Sequence, residues 1–280
     1  MIPVINSGGC FGLNQAFDDT NIRGSVTITA SGTANAKGSY SQLVASTPFE
    51  AKGILINLEA GNIDDKLIDI AVGGAGSEMI IIADIFQGAR VAQYQGNTCV
   101  YFPIRIPAGV RLSARCQCSN ASRTTLVGVT LFKGDDRQSG ILPPASKIIT
   151  LGAVAGSSRG TTITPSSSAN TWLAWTQLVA TAGAEIYGLM VAIGAAGQSS
   201  KTAAMYRYAI GVGAASGEST IHEWIGGVVG STYRCSGYEL GFVPCRISAA
   251  QRIAHRVMCD TAIGTASNRT FDITLYGLVQ

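Results

Sequence analysis

Charge is scarce in this chain. Charged residues fill 13% of its 280 positions, against about 25% in ordinary soluble domains. A formal net charge of +3, with the basic residues scattered, is too weak a field for neutralising phosphates, so nucleic acid is set aside as a partner. No apolar run approaches a bilayer-spanning length, and the start, MIPVINSGGCFGLNQAFDD, has neither a basic leader nor a long apolar core. The chain is expected to be made in a cytoplasm without a cleaved export signal, with no membrane partner. Signatures of catalysis are missing as well: there is no GxSxG elbow and no GxxxxGK phosphate loop. The glycines of GGAGSE precede a β-like run and not a helix, so they cradle no phosphate.

Metal and disulfide chemistry have little to work with. Seven cysteines at irregular spacings cannot all pair within one chain, and buried reduced thiols are expected. Cys116 and Cys118 are too close together for a zinc knuckle, and His222 and His255 stand in no ligand spacing. No cofactor or metal is expected. Asp64, Asp65 and Asp69 could hold calcium, but loop acids are more often solvated turns. The sequons at Asn120 and Asn268 carry no weight without export.

What is present is small residues and a repeat. Glycine supplies 34 positions, a texture that suits a surface mostly covered by neighbours. RGSVTITASGTANAKGSYSQLVAS from Arg23 matches RGTTITPSSSANTWLAWTQLVAT from Arg159, with Ile28 over Ile163 and Leu43 over Leu178 at an offset of 135, and Gly53 matches Gly188 at that same offset. Glu78 then falls over Glu218 at 140, and Arg105, Arg111, Arg115 and Cys118 fall over Arg246, Arg252, Arg256 and Cys259 at 141. VTLFKG from Val129 is placed over ITLYGL from Ile273. The order is kept and the offset only grows, which reads as a tandem duplication of a unit the size of one domain. The expected organisation is an N-terminal arm at 1–21, one repeat at 22–134, a surface-crossing linker at 135–157 and a second repeat at 158–280.

Each repeat reads as short strands. VTITA, LVAS, GILINLE, LIDIAVG, MIIIADI, VYFPIRI, VRLSARCQC and TLVGVTLF are rich in β-branched residues and separated by Gly, Asn, Ser and Pro. MIIIADIFQGARV could run into a loop or short helix, and IHEWIGGVV could carry one helical turn. The fold class expected is all-β: two tandem antiparallel β-sandwiches of jelly-roll or Greek-key type.

Alternation along VRLSARCQC puts Val110, Leu112, Ala114, Cys116 and Cys118 on the inner face. The same parity places His255 inward in the second copy, as a hydrogen-bonded core histidine. Arg105, Arg111, Arg115, Arg246, Arg252 and Arg256 form the outward rows, with Glu78 and Glu218 as matching acids. They are candidates for structural ion pairs or for contacts with neighbouring subunits, a task for which the planar, multidentate guanidinium is suited. If both copies keep the pair, fold maintenance explains it better than binding. The arm has no counterpart in the second copy. Its apolar residues Ile2, Val4, Ile5, Phe11, Leu13 and Phe17 are candidate contacts with a neighbouring subunit or with the chain's own sandwich. Trp172, Trp175, Trp224 and Tyr233 are core or interface residues, or a sugar platform if exposed together.

The series RGSVTIT, ANAKGSYSQLVAS, GSE and FPIRIPAGVR resembles virion proteins of tailed bacteriophages over nearly the whole chain. The resemblance implies a structural role on a virion and names no functional residues. The expected function is a non-enzymatic capsid decoration or cement protein, assembled in the host cytoplasm. Its partners would be major capsid or tail proteins and copies of itself. Three two-domain chains would give six similar sandwiches, so a trimer could match a hexameric component. The alternatives are a tail or spike component that binds host-surface carbohydrate, and a glycan-degrading enzyme, which would need two carboxylates about 5 to 9.5 Å apart.

Overall fold

β-branched and aromatic residues at alternate positions fit a pleated, half-buried surface, and the chain follows that preference almost throughout. The computed structural model describes residues 10–12, 25–60, 64–88, 98–133, 143–194, 204–228, 242–262 and 270–280. Among these there is no α-helix; the one helical element is a 3-10 turn at Ala155–Ser157. The nine strands of the first half are β1 (Cys10–Gly12), β2 (Val26–Thr29), β3 (Ser41–Val44), β4 (Gly53–Ala60), β5 (Lys66–Val72), β6 (Met79–Gln87), β7 (Thr98–Phe102), β8 (Leu112–Cys118) and β9 (Thr124–Phe132). All eight expected strands are present. The run from Met79 stays extended to Gln87 with no helix.

Two sheets form in this half. One has the order β2-β9-β4-β7 and the other β6-β5-β8-β3, with every pair antiparallel. Eight strands in that order are a jelly roll. Ile54, Ile56, Val127, Val129 and Leu131 of one sheet share a buried cluster with Ile68, Ile70, Leu112, Ala114 and Cys116 of the other. Each such large side chain contributes roughly 1.5–3 kcal/mol of hydrophobic stabilisation. Strand β1 lies along the free part of β9, pairing Cys10 with Phe132 and Gly12 with Thr130.

The second half holds β10 (Lys147–Leu151), β11 (Ala153–Val154), β12 (Arg159–Ile163), β13 (Thr176–Val179), β14 (Ile186–Gly194), β15 (Ala204–Val212), β16 (Ser219–Val228), β17 (Val243–Ile247), β18 (Ile253–Cys259) and β19 (Phe271–Val279). Its sheets run β12-β19-β14-β17 and β16-β15-β18-β13. Strand for strand, this is the connectivity of β2 to β9. IHEWIGGV, up to Val228, is part of strand β16 and not a helical turn, because its backbone is spoken for by β15 across the hairpin.

One detail of the sequence match changes. Ile28 pairs with Thr125, and Ile163 pairs with Phe271. The last strands therefore align with Val127, not Val129, over Ile273. A slip of two residues keeps every side chain on its face, so the apolar pattern alone does not resolve it.

The stretch expected to be a surface crossing is a strand from Lys147 on. β10 pairs antiparallel with β19 and, through Ile148 and Ile82, parallel with β6. It thereby joins a sheet of the second jelly roll to a sheet of the first. Both faces of β14 and β19 are consequently buried: Leu189, Val191, Ile273 and Leu275 face their own core, while Met190, Ala192, Tyr276 and Leu278 belong to the core of the first half.

Candidate functional site

Three arrangements gather the chain's polar and aromatic side chains: a clamp present in both halves, a sheet face where the halves differ, and the junction between them.

The clamp begins at the β5–β6 hairpin. Gly73 has φ 113° and Gly76 φ 85°; in the β15–β16 hairpin Gly213 has φ 124° and Ser216 φ 66°. Such left-handed backbone favours glycine and turns the chain sharply. Each turn presents a glutamate to an arginine of the strand beside it. Arg111 Nη1 donates to Glu78 Oε1 at 3.0 Å, and its Nε donates to Gln42 Oε1 at 3.2 Å. In the second half Arg252 pairs with Glu218, and its Nε donates to Gln177 Oε1 at 2.9 Å. Backbone N–H groups of its own turn, together with Arg111, hold the Glu78 carboxyl below the usual range. Burial pushes Glu218 upward, but backbone N–H groups and Arg252 outweigh it and leave the carboxyl lowered too. The clamp ties a hairpin, an inner strand and an edge strand together in both halves.

The other arginines of the rows go separate ways. Arg115 donates from Nε to Asp69 Oδ2 at 2.9 Å and lies 4.6 Å over the Tyr40 ring. Lys37 Nζ donates to Asp69 at 2.8 Å and to Asp84 at 2.6 Å, so two carboxylates share one ammonium. At the corresponding place Arg256 lies 4.5 Å from the Trp172 ring and 4.2 Å from Trp175. There a cation–π stack stands where the first half has an ion network. Arg105 is 3.8 Å from Glu50 with both side chains exposed, a separation at which such a pair contributes little. Arg246 is exposed.

Of the calcium candidates, Asp64 meets Arg123 at 2.9 Å and accepts from Asn120 at 2.6 Å, while Asp69 is engaged as above. Their charges are answered by the chain itself, and no His, Cys, Asp or Glu cluster suited to a metal occurs among the described residues. The three tryptophans do not form one platform. Trp224 is buried, stacked on Tyr208 at 5.2 Å and on His222 at 5.5 Å, apart from the half-buried Trp172 and Trp175. His255 is a core residue as its parity required, yet neither ring nitrogen has a hydrogen-bond partner among the described residues, and burial pushes its pKa down to about 3. Cys116, Cys118 and Cys259 are buried thiols outside any disulfide. Ile2, Val4, Ile5, Leu13, Phe17, Tyr233 and Asn268 lie outside the described residues; Phe11 is paired with Leu131 through β1.

The junction was not legible beforehand. Phe86 is 2% exposed, its N–H donates to the Tyr276 hydroxyl at 2.6 Å, and its ring fills the space above Gly194. Tyr276 in turn meets Phe102 edge to face at 5.4 Å. Thr150 bonds the Ala83 carbonyl. On the far side Gln117 Nε2 donates to Ala155 O at 2.7 Å and Ser158 Oγ at 3.1 Å, which explains why an outward residue of β8 is buried. A contact built from apolar and hydrogen-bonded groups on both sides fixes the two jelly rolls against each other.

No protein-family model matches the chain, and no curated protein matches it. Among solved structures it is similar to the STIV MCP, a viral major capsid protein, at 9% identity and a TM-score of 0.39, covering 91% of this chain and 94% of that one. It is similar to the glycosylasparaginase PNGase F of Flavobacterium meningosepticum at 10% identity and 0.38, covering 91% and 96%. A third is the CBM22-1–CBM22-2 tandem of Paenibacillus barcinonensis Xyn10C, at 10% and 0.25, covering 98% and 92%. At TM-scores below 0.5 none of these likenesses carries an argument about what this chain does.

Proposed function

We propose that the chain is a non-enzymatic structural subunit of a virus particle that acts by burying surface against its neighbours. The observation that carries this reading is the pair of like-connected jelly rolls locked through a shared sheet, since the jelly roll is a wall-building module of viral shells. A weakly charged, glycine-rich chain supports the same reading, because subunits of a shell expose little surface to solvent. Within the particle the best-supported place is the shell wall, where a rigid two-roll block presents two like units side by side. The decoration or cement role expected from the sequence uses the same physics on top of another protein's lattice. A host-glycan platform has less behind it, since Trp224 is buried away from Trp172 and Trp175.

Immunogold labelling of purified particles, with an antibody raised against the recombinant chain, tests the proposal. Label over the head supports it. Label confined to a tail or its tip replaces it with the attachment reading, and no label removes both. Particles produced without the chain separate the two head roles: intact shells mean decoration, and absent shells mean wall.

A further inference from the structure

The two halves share their connectivity but not their exposure. In the first half, β6 is an edge strand of its own jelly roll, and β10 with the outer face of β14 and β19 covers it. Its counterpart in the second half is β16, which among the described residues pairs with β15 alone. Phe86 pairs with Leu67, and Ile225 pairs with Arg207 at the equivalent rung. Phe86 is 2% exposed whereas Ile225 is 65% exposed, with Met205 at 50% beside it on β15. An apolar pair flanked by the Arg207–Glu223 ion pair has the apolar centre and polar margin of a subunit contact.

A cover that β16 lacks among the described residues exists elsewhere in the same chain. β1 lies on β9 in the register with which β10 lies on β19: Cys10 opposite Phe132 matches Ile148 opposite Leu278, and Gly12 opposite Thr130 matches Thr150 opposite Tyr276. The correspondence is fixed independently, because Gly53 and Gly188, aligned in the sequence, pair with Phe132 and Leu278. β10 has a strand on each side. β1 has only β9 among the described residues. Leu55, at the place of Met190, and Phe132, at the place of Leu278, are only half-buried, whereas Met190 and Leu278 are buried in the junction.

We infer that the β16 edge, with Met205 and Ile225, docks the β1-bearing face of the first half of a second copy of this chain, repeating between chains the strand order of the internal contact but not its Phe86–Gly194 seat, since Glu59 pairs with Leu126 where Gly194 pairs with Asp272. β1 of one chain then runs parallel to β16 of the next, with Cys10 opposite His222 as Ile148 is opposite Ile82. The contact is head to tail, so it propagates until a ring closes, and three chains bring six like units into that ring. Both exposed strand edges are covered in the process, which removes an aggregation hazard. The inference deepens the structural-subunit reading, is argued from strand registers and exposure, and is tested in solution, without particles.

The experiment is sedimentation of the full chain as wild type, Ile225→Asp, the double variant Met205→Asp with Ile225→Asp, and Met79→Asp. Met79 is 64% exposed on β6 and serves as a control of like chemistry elsewhere. Wild type and M79D are expected at three times the 29.0 kDa chain mass, and the β16 variants at one, with the circular dichroism of the folded chain unchanged and a single cooperative melt retained. A wild type that stays a single chain at every concentration overturns the inference. So does an assembly of two chains, or one whose mass the β16 variants leave unaltered. Loss of the trimer in M79D as well would assign the contact to general surface apolarity and overturn it too. Immunogold failure with a trimer present would sink the virion reading alone.

Discussion

Phe86 stands so close over Gly194 that a Cβ placed on that glycine would lie 2.5 Å from the ring. The approach is possible only because β14 carries no side chain there, and it seats one jelly roll on the other. Neither partner can yield cheaply: Phe86 is 2% exposed and held by the Tyr276 hydroxyl on its own backbone N–H. Gly194→Ala is therefore expected to destabilise by about 1–3 kcal/mol through overpacking. Phe86→Ala empties the same space and should cost about 3–5 kcal/mol. Both values are read from denaturant melts of the full chain. If G194A melted like wild type, the junction would be looser than these contacts state.

His255 makes stability depend on pH. Its ring lies between Tyr208 at 6.1 Å and Trp224 at 5.8 Å, and burial pushes its pKa down to about 3, against about 6.5 in an unfolded chain. Between those values the unfolded state binds a proton that the folded state refuses. Stability is thus full above the unfolded pKa and is lost as pH falls toward the folded one. From pH 7 to pH 5 this residue should remove about 2 kcal/mol. His222, lowered by burial as well, acts in the same direction. Urea melts at the two pH values, repeated on His255→Phe, check it: the variant should lose most of the pH dependence. An unchanged dependence would place its origin elsewhere.

The strands were legible because their signals are local. VRLSARCQC alternates cleanly, and Leu112, Ala114, Cys116 and Cys118 are buried as that alternation requires. The ion pairs at Glu78 and Glu218 were legible because the same residue types recur at matching positions. Long-range pairing was not. Ile148 sits beside Ile82 and Leu278, partners distant in sequence, and the preceding Pro143 and Pro144 disguise KIITL as a linker. The covering of Gln117 by Ala155 and the seating of Phe86 on Gly194 depend on how two finished sandwiches meet, which no periodicity records. The place of Trp224 was hidden for the same reason: its stack on Tyr208 is made across a hairpin that its own stretch did not announce.

Cys116 and Cys245 have pKa values pushed up to about 11, chiefly by burial. The thiolate is the reactive form, so both should stay unmodified by a thiol reagent at pH 8 while the chain is folded, and react at once in denaturant. Cys118 and Cys259 are buried like Cys116, whereas Cys245 is half-buried; the two buried thiols should stay unmodified as well. Peptide mass mapping after a brief native exposure reads each site. Rapid native labelling of Cys116 would mean that the first core opens readily, contrary to its burial in both sheets.

The Arg111–Glu78 and Arg252–Glu218 pairs differ in surroundings but not in task. Each arginine answers a turn glutamate with one nitrogen and an edge-strand glutamine with another. Lysine presents a single nitrogen in place of the separate Nε and Nη1 that reach the glutamine and the glutamate here. Arg111→Gln and Arg252→Gln are each expected to lower the melting temperature, and the lysine variants should recover only part of the loss. Because the clamp ties strands of one jelly roll, none of the four changes should alter the number of chains in the assembly when measured below its melting point. A variant that melts like wild type yet falls to a single chain would move that arginine from the fold to the subunit contact.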